Sequence, residues 1–196
     1  MLAAVVGFFG YGVLQDRRQI AAGTPGEKKP TIHATDPVRG ENRARVTVIE
    51  YGDFLCPFCR TEQADLKTFL AKYRDRVRLV WKDYPLEELH AESVNAAEAA
   101  RCAQEQNAFW QMHDALFANQ ERLGADVYME LAVSLQLDLG RFQECLSSDR
   151  TISLVTAAAA EARQLGIDGT PYYFFGATPV TSLPNAEELD RFLEGS

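Results

Sequence analysis

The chain has 196 residues, 46% of them hydrophobic, and a formal net charge of −8. This length suits one hydrophobic core with room for an inserted subdomain. Because the net charge is negative and the basic residues are dispersed, we expect no nucleic-acid partner. The four cysteines are too few for a disulfide scaffold, and the sequence holds no internal repeat.

The N-terminal segment, residues 1–22, is predicted to be an export signal or an N-terminal anchor. Residues 2–14 are uncharged and mostly apolar. This run is short for a membrane-spanning helix, which needs about 20 residues, but it suits the apolar core of a secretory signal. No Lys or Arg precedes the run, while Arg17 and Arg18 follow it. A truncated start and a packed N-terminal helix therefore stay open as alternatives.

The next segment, residues 23–42, is predicted to be a linker. It combines prolines, glycines and charged residues without an apolar period, as flexible connections do. Its end, Asp36–Gly40, is expected to lead into the folded domain.

Two cysteines stand where a predicted strand meets a predicted helix. Residues 46–55 are rich in β-branched and aromatic residues and indicate a buried strand, whereas apolar residues recur at helical spacing after residue 65. The motif Cys56-Pro57-Phe58-Cys59 lies between them. Unpaired N–H groups and the positive end of the helix dipole stabilise a thiolate at such a place, and the thiolate is the reactive form. Pro57 suits the first helical turn.

A zinc site is the alternative interpretation of this motif, and it requires a second pair of ligands at metal spacing. Cys102 and Cys145 stand alone, and the three histidines, His33, His90 and His113, are scattered. We therefore predict no metal site.

The predicted strand contains an acid, Glu50. A carboxylate among apolar strand residues is costly unless it is paired or protonated. The acid is thus either a functional group or a partly solvated residue at the strand end. A second strand is predicted at Arg76–Pro85, forming a right-handed βαβ unit with the first. Lys82 in that strand is interpreted as a surface charge rather than as the partner of a buried acid.

Residues 87–165 have helical patterns throughout and are too long for a crossover connection, so we predict an inserted helical subdomain. Its apolar stripes are interpreted as packing faces, with Trp110 and His113 as core or rim residues. Asp138 is a predicted N-cap, and Gly166 is predicted to stop the last helix.

The chain then returns to strand. Gly169-Thr170-Pro171 precedes the aromatic run Tyr172–Phe175, and Gly176-Ala177 predicts a hairpin to a second short strand at Pro179–Ser182. A closing helix is predicted near the C-terminus, capped by Asn185.

The motif with two cysteines, followed far downstream by Gly-Thr-Pro before a strand, resembles the thioredoxin superfamily. More closely, the chain is similar to the DsbA-type thiol–disulfide oxidoreductases, the branch with a helical insertion. The resemblance covers about Asp36 to Leu193 and is most specific at residues 46–60, 96–117 and 166–180. It implies an α/β thioredoxin-like fold with an inserted all-helical subdomain, the thioredoxin-like domain comprising residues 43–86 and 166–196.

The resemblance also implies the roles of the site residues. Cys56 is the exposed sulfur that takes part in attack, and Cys59 lies one turn deeper and resolves the mixed disulfide. Thr170 and Pro171 are expected to form a cis peptide bond that faces the cysteines and binds substrate. Glu50 matches an acid that assists proton transfer beneath the disulfide.

The residues between the cysteines, Pro57 and Phe58, are expected to tune the redox potential. The best-known DsbA-type enzymes carry a histidine where this chain has Phe58. Because a phenyl ring offers no charge or N–H to the thiolate, we expect a less extreme oxidant.

Four cysteines permit three pairings. The spacing favours Cys56–Cys59 together with Cys102–Cys145, and relatives with a cysteine pair at the latter positions support a structural disulfide. Two buried free thiols are the alternative for Cys102 and Cys145.

We therefore predict an exported enzyme that introduces disulfides into substrate proteins. A reductase or isomerase on the same fold, and a non-enzymatic binding protein with a vestigial motif, are the alternatives. No cofactor is expected. The expected partners are substrate proteins with cysteines and a membrane or soluble redox partner that resets Cys56–Cys59. The protein is expected to be monomeric and to lie in the periplasm or another extracytoplasmic compartment, with the N-terminus as a possible membrane anchor.

Overall fold

The computed structural model describes residues 29–180 and 182–194. The predictions for residues 1–22 and for the first part of the linker lie outside these residues. Among the described helices, none has the length and apolar character that crossing a membrane requires.

A five-stranded sheet forms the centre of the fold, with strand order β1-β3-β2-β4-β5. The central strands β2 and β3 are parallel, and every other neighbouring pair is antiparallel. This α/β architecture confirms the predicted thioredoxin-like fold class. The strands are β1 (Val38–Arg39), β2 (Val46–Gly52), β3 (Val77–Asp83), β4 (Tyr172–Phe175) and β5 (Thr178–Val180).

Seven α-helices surround the sheet in the described part of the chain. The predicted caps are present: Asp138 accepts a hydrogen bond from the Arg141 N–H at 3.0 Å, and Asn185 accepts one from the Glu188 N–H at 3.0 Å. The helices are α1 (Pro57–Lys72), α2 (Ser93–Gln104), α3 (Phe109–Ala118), α4 (Ala125–Ser134), α5 (Leu139–Ser147), α6 (Ile152–Leu165) and α7 (Ala186–Glu194), with a short 3₁₀ helix at Gln120–Arg122.

The two faces of the sheet are covered by different helices. On one face, α1 and α7 bury an apolar cluster that includes Leu66 and Leu189. On the other face, α6 packs Ala159 and Ala162 against strand residues such as Val80. Helices α2 to α5 enclose a separate core that reaches the active-site loop.

Two sequence interpretations are corrected by this packing. The predicted insertion, residues 87–165, included α6, but α6 covers the sheet, because its alanines allow a close approach between helix and strands. The predicted linker, residues 23–42, included Val38–Arg39, which pair with β3 as an edge strand. A strand of two residues is too short to show an alternating pattern.

Lys82 is buried, so its interpretation as a surface charge is wrong. Its side chain is 1% exposed, and its Nζ lies 2.7 Å from an Asp36 carboxylate oxygen and 3.2 Å from one of Glu161. Lys82 lies opposite Tyr51 on the neighbouring strand, and its side chain points to the face of the sheet that α6 covers. Glu50 precedes Tyr51 and points to the other face, which α1 covers, because successive residues of a strand alternate between the two faces. Burial of the ammonium is compensated by two carboxylates from distant parts of the chain.

Candidate active site

The motif of two cysteines lies at the connection between the end of β2 and the start of α1. Cys56 is the N-cap residue of α1, and Pro57 occupies the first helical turn, where a missing N–H has no cost. Cys59 follows one turn later on the buried side of the helix. Cys56 is 4% exposed and Cys59 is 0% exposed. Cys56 is therefore the more accessible sulfur, although it is far more covered than the sequence indicated.

The pKa of the Cys56 thiol is lowered to about 5. The largest contribution is a hydrogen bond from the Cys59 side chain, followed by the Thr170 side chain and the backbone N–H groups of Cys59 and Phe58; burial opposes these effects. Donors at the start of a helix stabilise a sulfur anion. Because this pKa lies well below 7, reduced Cys56 is mainly a thiolate at neutral pH.

The pKa of Cys59 is shifted in the opposite direction, far above its usual range. Burial is the main cause, and the hydrogen bond to Cys56 and the charge of Glu50 add to it. The reduced pair therefore holds one thiolate, on Cys56, and one thiol, on Cys59. The two sulfurs therefore differ in their protonation state in the reduced protein.

The loop before β4 faces Cys56 from across the site. The Thr170–Pro171 peptide bond is cis, and Cys56 Sγ lies 3.2 Å from the Thr170 carbonyl oxygen. This contact joins residues that are 114 positions apart in sequence. Thr170, Pro171 and the two cysteines thus form one site.

Phe58 lies at the rim of this site. Its side chain is 70% exposed, and its backbone N–H is one of the donors to Cys56. The phenyl ring therefore contributes an apolar surface next to Cys56, and the part of Phe58 that stabilises the thiolate is its backbone N–H.

A buried acid beneath the motif holds the loop that carries Cys56, and sequence reasoning missed it. Asp53 accepts hydrogen bonds from the Leu55 N–H at 2.8 Å and the Leu86 N–H at 3.0 Å, and it contacts His90 Nδ1 at 2.8 Å. Its bond to the N–H two residues ahead is a turn that Asp commonly forms. That local signal could have identified Asp53, but not its contacts with Leu86 and His90.

Gln120 also holds this loop and was also missed. Its amide donates hydrogen bonds to the carbonyl oxygens of Phe54, at 2.8 Å, and Cys56, at 2.9 Å. A single glutamine from the helical region thereby satisfies two carbonyls of the active-site loop. No sequence pattern marks it, because its partners are more than 60 residues away.

An aromatic cluster supports the loop from below. Phe54 stacks on Trp81 with ring centroids 4.9 Å apart, and His113 packs edge-on against Trp81 at 4.8 Å. His113 is fully buried, which lowers its pKa to about 4. Gly52 lies so close to the Trp81 ring that an added Cβ would be 2.3 Å from it. The ring can occupy this position only because residue 52 has no side chain.

Glu50 is completely buried on the α1 face of the sheet. Burial raises its pKa to about 8, and the charge of Glu62 adds to this effect, whereas the Gln63 amide and the Tyr173 hydroxyl oppose it. Gln63 donates to a Glu50 carboxyl oxygen at 3.2 Å. The acid also acts electrostatically on Cys59, so it lies in the position that the resemblance assigns to a proton-transfer group.

Cys102 on α2 and Cys145 on α5 are joined by a disulfide, with Cα atoms 5.6 Å apart. Both residues are buried in the core of the helical region. The two sulfurs of the candidate site, Cys56 and Cys59, are free thiols.

Comparisons with known proteins agree with this geometry. The family model described as Thioredoxin matches residues 33–195. Among curated relatives, the Na(+)/H(+) antiporter NhaA 3 of Salinispora tropica is 41% identical over 139 residues, which are 71% of this chain and 21% of that protein. The Na(+)/H(+) antiporter NhaA 1 of Mycolicibacterium vanbaalenii is 31% identical over 168 residues, which are 85% of this chain and 27% of that protein. The chain thus spans about a quarter or less of these relatives.

Solved structures show the same fold. BdbD from Bacillus subtilis, in its oxidised form, superposes with a TM-score of 0.73 at 23% identity and covers 86% of this chain and 96% of its own. A thioredoxin-like oxidoreductase from Silicibacter pomeroyi has a TM-score of 0.69 at 26% identity, covering 83% and 92%. The thiol–disulfide exchange protein α-DsbA2 from Wolbachia pipientis has a TM-score of 0.71 at 17% identity, covering 83% and 87%. The chain belongs to the thioredoxin family and has the fold of its DsbA-type thiol–disulfide oxidoreductases.

Proposed function

We propose that the protein is an exported thiol–disulfide oxidoreductase whose oxidised Cys56–Cys59 pair introduces disulfides into substrate proteins. The observation that carries this proposal is the position of Cys56 at the N-terminus of α1, where the Cys59 thiol and backbone N–H groups lower its pKa to about 5, while Cys59 is completely buried. A stabilised Cys56 thiolate favours the reduced form of the pair, which makes the oxidised form the stronger oxidant.

The reaction proceeds by two thiol–disulfide exchanges. A substrate thiolate attacks Cys56 Sγ, the bond between Cys56 and Cys59 breaks, and Cys59 leaves and takes up a proton. A second substrate thiolate then attacks the substrate sulfur of the mixed disulfide, and Cys56 leaves as a thiolate. The substrate has lost two electrons and gained a disulfide, and the enzyme pair is reduced. A low pKa makes Cys56 the better leaving group in the second step.

Substrate docking is assigned to the loop opposite Cys56. The backbone of Thr170 lies beside the reactive sulfur and offers hydrogen-bonding groups to an extended polypeptide, as in strand addition. The exposed ring of Phe58 adds an apolar contact at the same rim. Together, the Thr170 backbone and the Phe58 ring are suited to bind an unfolded protein with exposed cysteines.

The second disulfide supports the proposed extracytoplasmic location. A bond such as Cys102–Cys145 persists in oxidising compartments and is rare in reducing ones, which supports an extracytoplasmic location. A membrane or soluble redox partner is then required to reoxidise the active-site pair after each turnover. We propose that the protein acts as a monomer.

The direct test is the oxidation of a reduced, unfolded protein by the purified oxidised enzyme, compared with the rearrangement of a scrambled one. We expect the first activity to be faster. Faster rearrangement would favour an isomerase, and activity only in the presence of a strong reductant would favour a reductase. A Cys56→Ala, Cys59→Ala double variant serves as the control for background air oxidation.

A further inference from the structure

Glu50 has no contact with solvent, yet reduction of the Cys56–Cys59 pair to one thiolate and one thiol takes up a proton, which must reach the buried Cys59 from solvent. We propose that Tyr173 and Glu62 carry this proton between solvent and Glu50. The inference rests on the proposed thiol–disulfide exchange and adds two residues to its machinery.

The fold places these groups around Cys59. Glu50 on β2 is directly opposite Tyr173 on the antiparallel strand β4, and opposite residues share a face of the sheet with neighbouring side chains. Glu62 and Gln63 follow Cys59 by three and four positions on α1, so they lie on the same side of that helix. Glu50, Tyr173 and Glu62 therefore lie close enough to interact electrostatically, and Glu50 and Tyr173 also interact with Cys59.

Three polar atoms of this cluster are buried without an aligned hydrogen-bond partner in the described part of the chain. They are a carboxyl oxygen of Glu50, a carboxyl oxygen of Glu62 and the hydroxyl of Tyr173. Buried polar atoms are almost always paired, so three neighbouring exceptions require an explanation. A route along which a proton moves, and along which the hydrogen-bond pattern changes at each turnover, provides one.

The neighbours of Glu50 differ in their ability to pass a proton. The amide of Gln63, which donates to Glu50, has no titratable proton at neutral pH. The hydroxyl of Tyr173 is both donor and acceptor. Glu62 is only partly buried, so it connects the buried cluster with solvent.

The electrostatics of the cluster agree with this route. The Tyr173 hydroxyl lowers the pKa of Glu50. In turn, burial and the neighbouring Glu50 and Glu62 raise the pKa of Tyr173. The charge of Glu62 adds to the effect of burial in raising the pKa of Glu50 to about 8. Glu50 is thus mainly protonated at pH 7 and ready to donate.

When a substrate thiolate attacks Cys56, the sulfur–sulfur bond breaks and the Cys59 thiolate takes the proton of Glu50. In the same step Glu50 takes the hydroxyl proton of Tyr173, and the Tyr173 oxygen takes a proton that Glu62, a carboxylate at rest, has received from solvent or a buffer acid. Glu62 returns to its carboxylate form, so one solvent proton enters for each disulfide reduced. Tyr173 stays neutral because both of its transfers occur together.

The test uses oxidised full-length protein and dithiothreitol as the attacking dithiol, because that reaction occurs whatever the direction of electron flow in the cell. Glu62→Gln and Tyr173→Phe remove the proposed carriers at nearly constant shape. Asp65→Asn is the matched control, since Asp65 is exposed on the same helix and the change removes the same charge. The rate of Cys56–Cys59 reduction is measured at neutral pH with increasing concentrations of imidazole buffer.

We expect Glu62→Gln and Tyr173→Phe to slow the reaction about tenfold or more, within the range of general acid–base effects, and added buffer acid to restore the rate. The wild type and Asp65→Asn should show neither effect. Unchanged rates in both variants, or a loss that buffer acid does not restore, would overturn the route. Failure of the wild type to oxidise an unfolded protein would instead count against the proposed function alone.

Discussion

The stabilisation of the Cys56 thiolate by Cys59 can be measured by removing the Cys59 side chain. Hydrogen bonds to charged groups contribute about 1.5–3 kcal/mol, and one pKa unit corresponds to about 1.4 kcal/mol. Since the Cys59 thiol is the largest of the influences that lower the pKa of Cys56, Cys59→Ala should raise that pKa by about 1–2 units. The expected value in this variant is therefore about 6–7, between the folded value of about 5 and the unperturbed value of 9.0.

The assay is the ultraviolet absorbance of the thiolate in the reduced protein as a function of pH, checked by the pH dependence of alkylation. Cys102 and Cys145 do not interfere, because they are disulfide-bonded. Cys59→Ser is the matched control, since its hydroxyl keeps a donor in place and should raise the pKa less than alanine does. A Cys56 thiol that titrates near 5 in the alanine variant would refute the role of Cys59, and a wild-type value near 9 would refute the whole account of the thiolate.

Two further predictions concern the cysteines. Cys59→Ser should accumulate mixed disulfides with substrate proteins that disappear on reduction, as seen in non-reducing electrophoresis, whereas trapping by Cys56→Ser instead would show that the roles are reversed. Replacing both Cys102 and Cys145 by serine should lower the free energy of unfolding by about 4 kcal/mol, since the bond closes a loop with a separation of 43 residues; denaturant titration that shows no loss would contradict a stabilising role.

Local patterns identified the parts of the site that depend on neighbours in sequence. The position of Cys56–Cys59 at the start of a helix follows from the β-branched run before it and the helical period after it. Glu50 stood out because it interrupts an apolar strand, and the structure buries it completely. In each case the residue that carries the chemistry lies within about ten residues of the pattern that predicts its surroundings.

Contacts between distant segments could not be predicted in this way. Lys82 can be buried because Asp36 and Glu161 form ion pairs with it, and nothing beside it in sequence reveals these partners. Gln120 holds the active-site loop from the helical region, and α6 covers the sheet although its alanine-rich pattern would suit either location. Such features depend on the packing of whole elements, which a single sequence does not specify.

The reduction potential of the Cys56–Cys59 pair, measured against pH, tests the central claim most directly. With Cys56 ionised above a pKa of about 5 and Cys59 protonated, reduction takes up one proton for two electrons. The potential should therefore fall by about 30 mV per pH unit around neutrality. At pH 7 we expect a value closer to the roughly −120 mV of DsbA than to the roughly −270 mV of thioredoxin. A slope of about 59 mV per unit would show that Cys56 is protonated, and a potential near −270 mV would contradict the oxidase and support a reductase.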